Sequence, residues 1–195
     1  MKLLAFSDVH RDTRQAQRLA DRAAEVDVVI AAGDFASMHR GLEELIDMLV
    51  VIETPTVLVP GNNETDEALR EACTGWKAAH VLHGQSVEID GVPFFGLGAG
   101  VPTTPWPWSF DLSDDEAAEL LAGCPQGAVL VVHSPPKGYV DGDRHLGSEA
   151  ILHTIEEKQP PLVVCGHIHE SAGERAEIGP SLVVNLGPEG TVLEV

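Results

Sequence analysis

Short apolar runs alternate along the chain with longer stretches in which apolar residues recur every three or four positions. Lys2-Leu3-Leu4-Ala5-Phe6 reads as a strand that stops at Ser7-Asp8-Val9-His10. From Arg14 to Glu25, Ala16, Leu19, Ala20 and Ala23 fall along one side of a helix. Val26 to Ala32 is a second strand, apolar except for Asp27, and Gly33-Asp34 closes it. Gly41 to Ile52 is amphipathic, with Leu42, Leu45, Ile46, Leu49 and Val50 inward. Thr56 to Val59 is a third strand, closed by Pro60-Gly61-Asn62-Asn63. This order predicts parallel strands joined by crossover helices.

The second half changes character. Val81 to Gly98 holds short strands around Asp90-Gly91, a hairpin signal. Val101 to Trp108 is rich in Pro and Trp and predicts a loop. Ser113-Asp114-Asp115-Glu116 opens a helix with a capping-box pattern. Ala128 to Val132 is a strand ending at His133. Ser148 caps a helix that runs to about Lys158, and Leu162 to Cys165 is a strand ending at Gly166-His167-Ile168-His169. Leu182 to Val184 and Thr191 to Val195 close the chain as antiparallel strands. With no repeat and no linker, residues 1–195 are expected to form one α/β domain, with two sheets inside and helices outside.

Charge narrows the list of partners. Twelve basic residues stand against 31 acidic ones, for a formal net charge of −19. Such a surface repels nucleic-acid backbones and anionic lipid, so neither a nucleic-acid duplex nor a membrane is an expected partner. A small phosphate substrate remains compatible, because a bound dication reverses the local field. No apolar run approaches the ~20 residues of a membrane span, and Met1-Lys2 leads straight into a strand without a signal-peptide pattern. Cys73, Cys124 and Cys165 share no CxxC spacing and read as reduced thiols, so the expected location is cytoplasmic.

The chemistry lies just after the apolar strands. Asp8 and His10, Asp34, Asn62 and Asn63, His133, and His167 and His169 follow five separate strands. Asp8-Val9-His10, Gly33-Asp34 and Gly61-Asn62-Asn63 are each ordinary turn chemistry alone, and His133 alone reads equally as a packed histidine. Alternation in Gly166-His167-Ile168-His169, by contrast, puts both rings on one face of an extended segment. Together, in an α/β sheet whose site lies beyond the carboxyl ends of its strands, they are expected to converge. Imidazole, carboxylate and amide oxygen suit borderline-to-hard divalent ions. Asp8, His10, Asp34, Asn62, His133, His167 and His169 offer more donors than one four-coordinate ion needs and suit two ions sharing a carboxylate. His39, His80, His83 and His153 fall outside the pattern.

The ordered set "DVH", "GD", "GNNE", a strand-end His and "GHIH" resembles the calcineurin-like metallophosphoesterase superfamily. "HSPPKGYVD" and "CGHIHES" look most like its small Icc-related and class III phosphodiesterase-like members. The resemblance implies a four-layer αββα sandwich of two mixed sheets flanked by helices. It implies that Asp8, His10 and His169 hold one metal, that Asn62, His133 and His167 hold the other, and that Asp34 bridges them. It further implies manganese first, with iron, zinc or nickel as alternatives, and hydroxide attack on a small phosphate ester, a diester before a monoester.

Asn63 falls where that family usually has histidine. An amide can donate to a phosphoryl oxygen but cannot supply a proton near neutral pH. Asn63 is therefore expected to stabilise the transition state without acting as a general acid. His145, and less so Lys137, are substitutes on position alone, and His145 is also expected to touch substrate. Arg11, Trp106 and Trp108 are open between substrate contact and ordinary surface or packing roles, and Gly147-Ser148 between a phosphate cradle and a plain cap. Two other readings compete with the phosphoesterase. One is a metal-binding scaffold on a retired site, favoured by Asn63. The other is a mononuclear hydrolase of C–O or C–N bonds, disfavoured by the surplus of donors.

Overall fold

The computed structural model describes residues 1–195. In chain order the elements are β1 (Lys2–Phe6), α1 (Thr13–Arg22), β2 (Val28–Ala31), α2 (Leu42–Leu49), β3 (Thr56–Leu58), α3 (Asp66–Ala72), β4 (Ala79–Val81), β5 (Gln85–Ile89) and β6 (Val92–Leu97). There follow α4 (Asp114–Leu121), β7 (Val129–Val132), α5 (Glu149–Lys158), β8 (Leu162–Cys165), β9 (Arg175–Ile178), β10 (Ser181–Asn185) and β11 (Thr191–Glu194). One sheet has the order β11-β1-β2-β3-β4, and the other has the order β5-β6-β7-β8-β10-β9. Both are mixed. β1 to β4 run parallel with β11 antiparallel at β1, and β6, β7, β8 and β10 run parallel between antiparallel β5 and β9.

Three apolar layers hold these sheets together. Strand side chains alternate between faces, so Leu3, Ala5, Val28 and Ile30 meet Val129, Val131 and Val164 of the second sheet. Phe6, Val29 and Leu58 turn the other way, against Leu19, Leu45, Ile46 and Leu49 of α1 and α2. On the far side, Phe95, Leu130 and Val163 pack on Leu121 of α4 and on Ile151 and Ile155 of α5. Central strands buried on both faces read as unbroken apolar runs, which makes them recognisable in the sequence. Truncating a side chain such as Ile30, fully buried between the sheets, is expected to cost ~2–5 kcal/mol. No helix is long and apolar enough to cross a membrane.

Caps set the helix starts. Asp12 accepts from the Arg14 and Gln15 amides, the Ser113–Glu116 capping box is present, and Ser148 accepts from the Ile151 amide at 3.1 Å. Ser148 is thus a plain cap. The first helix ends at Arg22, three residues early, and Ala23–Glu25 is a single 3-10 turn. Asp27 stays outside β2 because its carboxylate accepts from the Lys2 amide at 2.7 Å. Val81 belongs to β4, parallel to β3, and the hairpin at Asp90-Gly91 joins β5 and β6 in the other sheet. The closing strands do not pair with each other: β10 lies between β8 and β9, while β11 pairs with β1.

Candidate metal centre

The loops after β1, β2, β3, β7 and β8 meet at one end of the two-sheet core, and their polar side chains form two adjoining clusters. Asp8, His10, Asp34 and His169 bring ligand atoms within 4.8 Å of one another, and so do Asp34, His133 and His167. In the first, His10 Nε2 lies 3.2 Å from His169 Nε2 and 3.4 Å from Asp34 Oδ2, and His169 Nε2 lies 3.3 Å from Asp8 Oδ1. In the second, His133 Nε2 lies 3.5 Å from Asp34 Oδ1 and 3.4 Å from Asn62 Oδ1, and His167 Nδ1 lies 3.1 Å from the same amide oxygen. Asp34 therefore turns one oxygen toward each cluster.

The backbone is bent to achieve this. Asp8, His10, Asp34 and His167 have φ of 57°, 43°, 59° and 67°, a left-handed conformation that L-residues rarely hold and that collects at functional sites. Two glycines make room for the carboxylates. A Cβ on Gly61 would fall 2.1 Å from Asp34 Oδ1, and one on Gly166 would fall 2.3 Å from Asp8 Oδ2.

Outer contacts orient the donors. His10 Nδ1 lies 3.0 Å from the Ala36 carbonyl and His133 Nδ1 lies 2.8 Å from the Ala32 carbonyl. A carbonyl only accepts, so each Nδ1 carries a proton and each Nε2 faces its cluster, where its lone pair can ligate once that nitrogen is deprotonated. Asn62 donates its amide to Ser109 Oγ at 2.8 Å, and Ser109 donates to Asp111 Oδ1 at 2.6 Å. That relay leaves the Asn62 oxygen facing His133 and His167. Imidazole lone pairs, carboxylates and one amide oxygen converge with no cationic side chain between them. Such a set fits divalent ions.

Electrostatics agree. Burial alone raises Asp8, but the His169 hydrogen bond, the His133 charge and the Ser7 hydroxyl outweigh it and hold Asp8 down to about 2. Burial lowers His133, yet Asp34 and Asp8 overcome it and raise the group. Burial and the neighbouring His133 push His167 down to about 4. The hydrogen bond to Asp8 raises His169.

Two expectations need correction. Asn63 lines the cleft, but its amide is already engaged. It donates to Asp34 Oδ2 at 2.7 Å and accepts from the Met38 amide at 2.8 Å. It braces the Asp34 carboxylate rather than aiming a free donor into the cleft. His145 is not at the cleft. The loop from Lys137 to Gly147 folds back on Asp141, which accepts from the Gly138 and Gly147 amides, and His145 Nδ1 lies 3.1 Å from Asp141 in a separate pocket. Lys137 pairs with Glu149 at 2.6 Å, and Arg11 faces Glu44. Trp106 and Trp108 do line the cleft.

Glu64 escapes the sequence pattern. It is buried, and its carboxylate accepts from the Gly61, Asp34 and Ala36 amides at 2.6, 2.8 and 2.9 Å, tying the β2 and β3 loops together. Burial and the Asp34 charge push it up to about 7. Its one signal is an acid directly behind Asn62-Asn63. Ser109 and Asp111 escape it too, because their spacing matches no periodic pattern.

Residues 1–193 match the model of the calcineurin-like phosphoesterase superfamily domain. The chain is 30% identical to a UPF0046 protein of Caenorhabditis elegans over 196 aligned positions, covering 89% of this chain and 65% of that protein. It is 31% identical to the human metallophosphoesterase domain-containing protein 1 over 137 positions, covering 66% of this chain and 39% of that one. The chain thus spans under two thirds of both relatives. Among solved structures, TT1561 of Thermus thermophilus superposes with a TM-score of 0.80 at 18% identity, covering 96% of this chain and 90% of that one. A dimetal phosphatase from Danio rerio superposes with a TM-score of 0.65 at 13% identity, covering 96% and 88%. At those identities the likeness is one of fold, and it is the four-layer αββα sandwich.

Proposed function

Because the chain belongs to the calcineurin-like phosphoesterase superfamily, we propose that its cleft holds two divalent metal ions and hydrolyses a small phosphate ester, a diester in preference to a monoester. The observation that carries this reading is Asp34, with Oδ2 3.4 Å from His10 and Oδ1 3.5 Å from His133. One carboxylate presented to two donor clusters is what a shared ligand requires. Asp8, His10 and His169 would hold one ion and Asn62, His133 and His167 the other, with manganese the first metal to try. Bound there, such a pair supplies Lewis acidity at the phosphoryl oxygens and a water acidic enough to attack near neutral pH.

The chain's own residues do the rest. The Ala36 and Ala32 carbonyls hold the His10 and His133 rings in the ligating tautomer. Glu64 ties the loops that carry Asp34 and Asn62, and Asn63 holds Asp34 in place. Asn63 has no proton to give a leaving oxygen, so esters of acidic alcohols are favoured. Cytoplasmic action fits three free, buried cysteines.

The test is hydrolysis of bis-p-nitrophenyl phosphate and p-nitrophenyl phosphate by metal-stripped protein titrated with Mn²⁺. Metal-dependent cleavage, faster on the diester, supports the reading. Absence of turnover with two ions bound per chain overturns it and leaves a second reading, a metal-dependent binding module. The engaged amide of Asn63, where the family usually has histidine, favours that alternative.

A further inference from the structure

We propose that the cleft contains a second subsite, built by Trp106 with Trp108 behind it, that takes a planar aromatic ring carried by the phosphate ester. The proposal rests on the phosphoesterase reading for the phosphate end and names the class of group at the other end. The cleft has a volume of about 580 Å³, far more than one phosphate fills. Besides the donor clusters, its lining includes Pro102, Pro105, Trp106, Trp108 and Leu146.

The two indoles are stacked, with ring centroids 5.7 Å apart and planes within 9° of parallel. Trp106 is 48% exposed. The third tryptophan, Trp76, is buried with its Nε1 donating to the Ile52 carbonyl, so the other two are the ones committed to the cleft. A parallel aromatic pair with one member open is extended best by a third flat ring, whose face stacks offset on the indole. An aliphatic group would cover the same area without that stacking.

The platform is built in advance. Thr104 donates its amide and its hydroxyl to Asp111 Oδ2, both at 2.7 Å, and His39 Nε2 meets the Trp108 carbonyl. Asp111 also holds Ser109, which holds Asn62. The indole wall is thus tied through three side chains to a candidate metal ligand, so little ordering is lost when a ring docks. Arg144 is the only lysine or arginine lining the cleft, a local cation for an anionic ester in a chain of charge −19.

The test compares phenylphosphonate with methylphosphonate, which share the anionic head and do not hydrolyse, on Mn²⁺-loaded protein by calorimetry and tryptophan fluorescence. Phenylphosphonate is expected to bind about tenfold more tightly, the scale of one ring on an aromatic face, and to quench the emission. Trp106→Ala should remove that preference and leave methylphosphonate affinity unchanged, which also shows that the variant is folded. Trp106→Phe should restore most of it. Equal affinities in the unaltered protein, or a preference that survives Trp106→Ala, would overturn the subsite alone. Failure of both phosphonates to bind would overturn the subsite and the phosphate site together. A ring preference without turnover on any ester would keep the subsite and remove the enzyme.

Discussion

Asn63 holds both oxygens of Asp34: its side-chain amide donates to Oδ2 at 2.7 Å and its backbone N–H donates to Oδ1 at 2.9 Å. A histidine at this position would keep the backbone contact and lose the amide. The Asn63→His variant is therefore expected to cleave esters with poor leaving groups faster, by ~100-fold if its ring reaches the leaving oxygen. It should also melt a few degrees lower, since the Met38 amide loses its acceptor, a loss of about 1 kcal/mol. Rates on p-nitrophenyl, phenyl and methyl esters, set against melting curves, separate the two effects. Equal changes on all three esters would show that no proton donor had been restored.

Ser109 reaches the centre only through Asn62. Ser109→Ala leaves the Asn62 amide free to turn, so its oxygen no longer faces His133 and His167 by default. Calorimetric Mn²⁺ titration should show one of two ions bound ~10-fold more weakly, with the other unchanged. Uniform weakening of both would point to a general loosening of the loop.

Protonation sets the pH at which metal is taken up. His167, held down to about 4, is already a neutral ligand at pH 6, and Asp8, near 2, is already a carboxylate. His169 and His133, both raised above their usual 6.5 by neighbouring carboxylates, keep protons that compete with metal. Mn²⁺ affinity is expected to climb as pH rises through the His169 and His133 titrations and then level off, with protons released on binding. The stability of chelator-treated protein has the opposite sign at these groups. A folded-state pKa above the unfolded one stabilises fully below 6.5 and is lost as pH rises through the raised value. Melting curves with chelator and with Mn²⁺ at pH 6 and 9 should diverge accordingly.

The cysteines make a simpler prediction. Burial pushes Cys73 up to about 12, raises Cys124 to about 11 despite the nearby Lys158, and lifts Cys165 well above the usual thiol value. The thiolate is the reactive form. Native protein at pH 8 should react negligibly with a disulfide reagent such as dithiobis-nitrobenzoate, and denatured protein should release three equivalents.

The candidate donors are legible because each lies within four residues of a buried strand and the strands point one way. Gly33-Asp34, Gly61-Asn62 and Gly166-His167 repeat one local solution, a residue without a side chain beside a ligand. His145 departs from expectation because proximity in sequence to His133 says nothing about a loop that Asp141 folds back by collecting two amides. Asn63 reads by type as a free donor. Its engagement depends on Asp34, twenty-nine positions away, which no local pattern reveals. α3, with Leu69 its one buried residue, and the three-residue β4 are too short to show a period.

Each donor cluster draws on both sheets. Asp8, His10, Asp34 and Asn62 follow strands of the first, and His133, His167 and His169 follow strands of the second. A divalent ion in either cluster would therefore act as a clasp across the mouth of the sandwich, where the apolar layer between the sheets gives way to polar loops. Loading the centre and locking the two halves together would then be one event, and a chelator would loosen the seam of the fold as well as silence the chemistry.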